Sequence, residues 1–300
     1  MDHINWYPGH MKKTRELIRD NLKLCDMVIE VIDARIPVSS RNTIIDELVG
    51  DKPRIIVLNK QDLADPDENR KWIRKLSHGE TQALALNCMK GSGVKELFAL
   101  LKKEQARLTR EKNQARAAAA ENSGGSAGGA NTAVMKNRPL RMMIVGVPNV
   151  GKSSLINRMT GRKAAQTGDR PGVTKGKQWL SLPDGMQLLD TPGILWPKFE
   201  DQQVGRNLAY CGSIKDEILD IADLALEFIG DIQKTYPEVL TARYKLEELA
   251  ENPLDNMEEI ARKRGFILPG KRIDYERCAR TVMDEFRSGK LGRITLEKAE

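Results

Sequence analysis

From Met11 to Leu24 the apolar residues Leu17, Ile18 and Leu22 recur among charged neighbours at helical spacing, which predicts an amphipathic helix. Beyond it the pattern changes to short unbroken apolar runs. "MVIEVIDAR" (27–35), "RIIVLNKQD" (54–62) and "LALNCMKGSG" (84–93) each begin as a buried strand and end in polar residues, and a helix is expected from Val94 to about Arg110. Continuous apolar strands alternating with helices predict a parallel sheet covered on both faces. "RMMIVGV" (141–147), "KQWLSLP" and "MQLLDTPG" add three more strands, and after "WPKF" (196–199) no further strand is expected. Helices are predicted there over roughly 202–211, 216–233, 236–250, 255–264 and 273–288, with Pro237, Pro253 and Pro269 at the breaks.

Residues 113–139 interrupt this order. They are rich in Ala, Gly and Ser without an aromatic residue, the composition of a flexible connector. The chain therefore divides into an α/β part, 1–200, carrying the connector, and a helical part, 201–300. Three hundred residues accommodate two such domains. No apolar run approaches the roughly 18 residues of a membrane span, and the first residues resemble neither a signal nor a transit peptide, so a soluble, cytoplasmic protein is expected. Four scattered cysteines point neither to zinc nor to disulfides.

Charge is segregated along the chain. The net charge is +7, yet residues 200–259 hold 15 acids against 5 bases, whereas residues 260–300 hold 11 bases against 6 acids. The excess of positive charge lies in the α/β part. A polyanionic partner is favoured, and Arg262, Lys263, Arg264, Lys271 and Arg272 are the candidate RNA contacts; a solvated basic face is the plainer reading.

"GVPNVGKSS" (146–154) matches GxxxxGK[ST] between an apolar strand and a helical pattern, the context that makes a phosphate loop credible. Gly146 and Gly151 let the backbone bend around a β-phosphate, along the run Asn149, Val150, Gly151, Lys152, Ser153 and Ser154. Lys152 neutralises the β and γ oxygens and acts as a catalytic charge, while Ser153 ligates Mg²⁺. "DTPG" ends a strand 37 residues after Ser153, placing Asp190 to reach Mg²⁺ through water and Gly193 to turn its N–H toward a γ-phosphate. Between them, in "GDRPGVTKG", Thr174 is the candidate hydroxyl that completes the Mg²⁺ coordination, with Thr167 as its competitor.

"NKQD" (59–62) supplies base specificity. An Asp62 carboxylate accepts from both N1–H and the 2-amino group of guanine, and a site built that way rejects adenine by about 10⁴-fold. Asn59 anchors the loop and the ring edge, and the Lys60 stem covers the base. "NCMKGSG" (87–93) stands where a GTPase has its "SAK" loop, so Asn87, Cys88 and Met89 are expected at the guanine oxygen, the last two through backbone N–H groups.

Asp62 lies 84 residues upstream of Gly146, although the base-reading motif ordinarily follows the phosphate loop. All five motifs are present in the order 4-5-1-2-3. A circular permutation explains that order, the connector lying at the new join. The fold expected is thus a circularly permuted P-loop GTPase domain, an α/β sheet that is mostly parallel with helices on both faces, followed by an all-α C-terminal domain.

With that order, the sequence resembles the circularly permuted GTPases of the ribosome biogenesis GTPase A (YlqF-like) family. The resemblance spans "WYPGHM", "DARIPVSSRN", the five motifs, "LLDTPGILWPKF" and "FRSGKLGRITLE". It implies GTP/GDP and Mg²⁺ as ligands, an RNA-binding helical domain and a role in large ribosomal subunit assembly, with the subunit precursor and its rRNA as partners, no membrane, and a monomer. Many GTPases carry a water-orienting Gln after D-x-x-G, but here the position is Ile194, which neither donates nor accepts. The resemblance assigns that task to the His of "PGH", hence His10 as a catalytic residue; a capping or exposed histidine is the alternative. Asn149 resembles the Asn of potassium-stimulated GTPases, which implies a K⁺ beside the phosphates. Two functions fit: a switch that binds pre-ribosomal particles with GTP and leaves on hydrolysis, or an RNA-binding assembly factor in which the nucleotide is structural.

Overall fold

The computed structural model describes residues 16, 18–41, 43–122, 139–161, 178–190 and 201–299. A six-stranded sheet forms its centre: β1 (Met27–Asp33), β2 (Arg54–Asn59), β3 (Thr81–Ala85), β4 (Arg141–Val145), β5 (Gln178–Ser181) and β6 (Gln187–Asp190). Their order across the sheet is β3-β2-β1-β4-β6-β5, every pair parallel except β5 with β6. All seven residues of β1 are buried, as expected of a central strand covered on both faces. β1 lies between β2 and β4, in the register Met27 to Met142 with the latter, so the strand that ends in the base-reading motif is only one strand removed from the one that enters the phosphate loop despite their separation in sequence.

Residues 18–22 are helical, within the helix expected over 11–24, and the sheet is flanked further by α1 (Thr43–Val49), α2 (Pro66–Leu76), α3 (Val94–Asn122) and α4 (Lys152–Thr160). Asp65 caps α2 by accepting from the N–H groups of Asp67 and Glu68, with Pro66 opening the helix. Helix α3 corrects the sequence reading, because residues 113–122 continue it. "ARAAAAEN" is as strong a helix former as it is a poor core former, and its composition was read as a connector on the second property alone. The remainder of that connector, 123–138, lies outside the described residues.

Five helices make up the C-terminal part: α5 (Gln202–Tyr210), α6 (Ile221–Thr235), α7 (Pro237–Tyr244), α8 (Pro253–Arg264) and α9 (Tyr275–Arg287). Two expected helices are shorter than read. Asp220 caps α6 through the N–H groups of Ala222 and Asp223, leaving Asp216–Ile218 as a separate 3-10 turn, and α7 stops where Lys245 turns left-handed at φ 56°. A further correction is a small antiparallel hairpin, β7 (Ile267–Leu268) with β8 (Arg272–Ile273), where no strand was expected; two-residue strands leave no periodic trace.

One apolar cluster runs from Met27 and Val31 of the sheet through Tyr210, Phe228 and Phe286 of the helices to Ile294. The Tyr210 and Phe228 rings meet edge-on at 5.2 Å, and the Arg35 guanidinium, just past β1, stacks 4.9 Å from the Phe286 ring centre. The two parts share a core.

Candidate functional site

The phosphate loop leaves β4 and enters α4 through three residues of positive φ: Gly146 at 152°, Asn149 at 61° and Gly151 at 100°. A Cβ on Gly146 would sit 2.3 Å from the Val31 carbonyl oxygen, and one on Gly151 would sit 2.2 Å from Asn59 Nδ2. Sterics as well as conformation thus fix both glycines.

Asn59, buried at the end of β2, ties three loops together. Its Nδ2 donates to the Val150 carbonyl at 2.7 Å, and its Oδ1 accepts from the Cys88 N–H at 3.1 Å. Asn87, also buried, accepts at Oδ1 from the N–H groups of Met89 and Lys90 at 2.8 and 2.9 Å. The N–H groups of Cys88 and Met89, expected to point at a guanine oxygen, are therefore held by asparagine side chains, and burial pushes the Cys88 thiol up to about 12. Arg158 of α4 closes the cluster, donating to the carbonyls of Cys88, at 3.0 Å, and Met89.

Lys60 is left-handed at φ 61° and donates from Nζ to Asp33 Oδ2 at 2.9 Å. Burial would raise the Asp33 pKa, but Arg35, paired with both its oxygens, and Lys60 outweigh it and hold the carboxyl well below its ordinary range. Asp62 projects a partly exposed carboxylate that makes a loose ion pair, 3.9 Å from Lys90 Nζ.

Lys152 is buried, its Nζ donating to the carbonyls of Gly146 at 3.0 Å and Val147 at 2.9 Å. Burial lowers its pKa to about 8, against the opposing pull of Asp190. Asp190 is buried at the end of β6, and Ser153 and Ser154 are half-buried in the first turn of α4. Ser153, next to Lys152 in the chain, and Asp190, close enough to raise the Lys152 pKa, carry the hydroxyl and carboxylate oxygens that suit a Mg²⁺ ion beside phosphate.

These groups converge. Asn59, Lys60, Asp62, Asn87, Cys88, Met89, Asn149, Gly151, Lys152, Ser153 and Ser154 line one cavity of about 830 Å³. Val150 lies buried behind it, and His10, Thr167, Thr174, Gly193 and Ile194 fall outside the described residues.

The far wall was not anticipated. It comes from the helical part: Cys211, Gly212, Ile214, Lys215, Asp216 and Glu217 after α5, and Asp284, Arg287 and Ser288 at the end of α9. Asn149 Nδ2 donates to the Gly212 carbonyl at 2.5 Å and Ser213 Oγ to that of Pro148 at 2.9 Å, stitching the phosphate loop to this wall. Arg287 supports it from below through Tyr210, Ala209 and Asp216. No sequence signal marks such long-range contacts beyond the quoted "FRSGKLGRITLE" segment that ends them. Of the five expected RNA-facing bases, Arg262 is paired with Glu258 and Glu259, and Arg264 with Glu285; Lys263 in the last turn of α8, and Lys271 and Arg272 in the β7–β8 hairpin, have no such partner among the described residues.

A family model described as 50S ribosome-binding GTPase matches residues 141–261. The chain is 44% identical over 297 residues to ribosome biogenesis GTPase A of Bacillus cereus, covering 99% of this chain and 94% of the relative. It is 34% identical to mitochondrial ribosome-associated GTPase 1 of Mus musculus, with coverages of 99% and 91%. The GDP-bound structure of YlqF from T. maritima superposes with a TM-score of 0.63 at 27% identity, over 94% of this chain and 98% of that one.

Proposed function

The chain belongs to the ribosome biogenesis GTPase A family, a circularly permuted P-loop GTPase that binds guanine nucleotide and hydrolyses GTP, and from that premise we propose that it is a switch in assembly of the large ribosomal subunit. With GTP it binds the subunit precursor and its rRNA; hydrolysis releases it. The observation that supports this reading best is the single cavity in which the Asn59 side chain bridges the base-reading and phosphate loops, through Val150 at 2.7 Å and Cys88 at 3.1 Å.

Asp62 reads the guanine edge, with Asn59, Lys60, Asn87, Cys88 and Met89 shaping the pocket around the base. Lys152 releases the loop carbonyls it now bonds and takes up the β and γ oxygens, which restore its full positive charge. Ser153, Thr174 and, through water, Asp190 would hold Mg²⁺. The ion supplies positive charge that screens the phosphates when bound. Gly193 offers its N–H to the γ-phosphate, and His10 orients the attacking water. Asn149 gives its amide nitrogen to Gly212, which leaves Oδ1 as the oxygen for a K⁺ ion. His10→Ala is expected to lower turnover with nucleotide affinity kept, and equal turnover in sodium and potassium buffers would remove the K⁺ site.

Lys263, Lys271 and Arg272 are the bases proposed to meet RNA, in a protein acting as a cytoplasmic monomer. The second reading, a structural nucleotide, gains support from the cavity's helical wall, because a ligand there touches both parts of the chain. The two separate on one experiment. A switch cosediments with large subunits in a nonhydrolysable GTP analogue, is released in GDP, and hydrolyses GTP faster when subunits are added. Equal cosedimentation in both nucleotides with an unaltered rate would overturn it in favour of the second reading.

A further inference from the structure

The segment after α9, residues 289–299, returns across the molecule to the loop that carries Asp62. Arg293 spans that loop from outside: Nε donates to the Ala64 carbonyl at 3.0 Å and Nη2 to the Gln61 carbonyl at 3.1 Å. Between these, the Ile294 N–H donates to the Leu63 carbonyl at 2.9 Å, and the Asp65 N–H donates to Thr295 Oγ1 at 3.0 Å. Asp62 is thus the one residue from 61 to 65 whose backbone the segment does not hold, and its neighbours on both sides are clamped. The loop's ties to its own part are Gln61 N–H to the Leu86 carbonyl, Leu63 N–H to that of Lys60, and Asn69 at either end, none of which reaches the Ala64 carbonyl that Arg293 holds.

The segment is itself firmly seated. Ile294 and Thr295 are buried, and the hydroxyl of Tyr236, which joins α6 to α7, donates to the Thr295 carbonyl at 3.0 Å. The Leu296 N–H donates to the Arg35 carbonyl at 2.8 Å. Glu297 accepts from the N–H groups of Val38 and Ser39 and from Asn207 Nδ2 of α5, while its own carbonyl accepts from Trp72 Nε1. A loop carbonyl left without its donor loses order, because its nearest substitute is water on a mobile backbone.

We propose that this segment is a positioning strap for base recognition, with Arg293 and Thr295 as the residues that hold Asp62 at the angle guanine requires. The inference rests on Asp62 being the guanine reader. Neither residue lines the cavity, so both act through the loop and not on the nucleotide. Because the strap is anchored on α5 and on the junction of α6 with α7, it also links the helical part to nucleotide selectivity.

The test compares affinities for GDP and IDP, whose base lacks the 2-amino donor, by titration calorimetry on the full chain. In Arg293→Ala the preference for GDP over IDP is expected to shrink by about tenfold, the scale of one charge-assisted hydrogen bond. Thr295→Val, nearly isosteric, shrinks it less, and Arg293→Lys recovers part of it. A purely structural role would weaken both ligands alike and leave their ratio fixed. Asp62→Asn, tested in parallel with XDP, is expected to exchange guanosine for xanthosine preference. If it does so while Arg293→Ala and Thr295→Val keep the original GDP to IDP ratio, the strap is overturned and the base reader stands. If Asp62→Asn leaves the preference for guanosine intact, the base reader falls first. Should Arg293→Ala not fold, the Thr295→Val ratio decides alone.

Discussion

Lys152 carries its charge at a cost until phosphate meets it. Burial takes its pKa from 10.5 to about 8, a change of roughly 3 kcal/mol between its two protonation states. The sign follows from linkage. Below pH 8 the lysine is charged in both native and unfolded protein, so native stability bears the full desolvation penalty. Between pH 8 and 10.5 the native state has released the proton that the unfolded chain keeps, and the penalty shrinks as pH rises. In nucleotide-free protein, the stability advantage of Lys152→Met over wild type in urea unfolding is expected to be greatest near pH 7 and to narrow toward pH 10. GDP should abolish that dependence, since its phosphates favour the ammonium. A difference independent of pH would mean that the lysine reaches solvent.

At the scale of elements, the phosphate loop and the end of β2 are fitted to each other. The contact between Gly151 and Asn59 leaves no room for a methyl group. Gly151→Ala must therefore displace the amide that holds Val150 and Cys88, and is expected to weaken GDP binding by at least about tenfold in a titration while the fold survives in circular dichroism. Retained affinity would show that the loops adjust independently. Much of this was legible in the sequence, because each motif ends an apolar strand and local pattern determines both. The continuation of α3 through residues 113–122 was not, since composition alone does not separate an alanine-rich helix from a linker. Likewise, the amides of Cys88 and Met89 looked like free donors until the buried Asn59 and Asn87 oxygens were seen to occupy them.

For the whole molecule, the division at residue 200 marks a change in element type, not a gap in packing. The apolar cluster crosses it, and Gly212, Lys215 and Arg287 face the nucleotide cavity from beyond it. Heat is therefore expected to unfold the protein in one calorimetric transition, raised as a unit by GDP; a hundredfold excess over Kd is worth about 2.7 kcal/mol. Two transitions, with GDP moving only one, would refute the shared core. This wall escaped the sequence because it is built from contacts across more than sixty positions, such as Asn149 with Gly212, which no periodicity records.

The strap has a consequence for how the protein is made. Arg293 lies 229 positions beyond Ala64, and at the roughly 5–20 residues per second of synthesis the gap amounts to about 10–50 s. A growing chain displays its base-reading loop for that interval without the clasp that shapes it. On the proposed strap, tight discrimination among purines is expected only once Arg293 and Thr295 have been synthesised, so a nascent chain that stops short of them should separate GDP from IDP poorly.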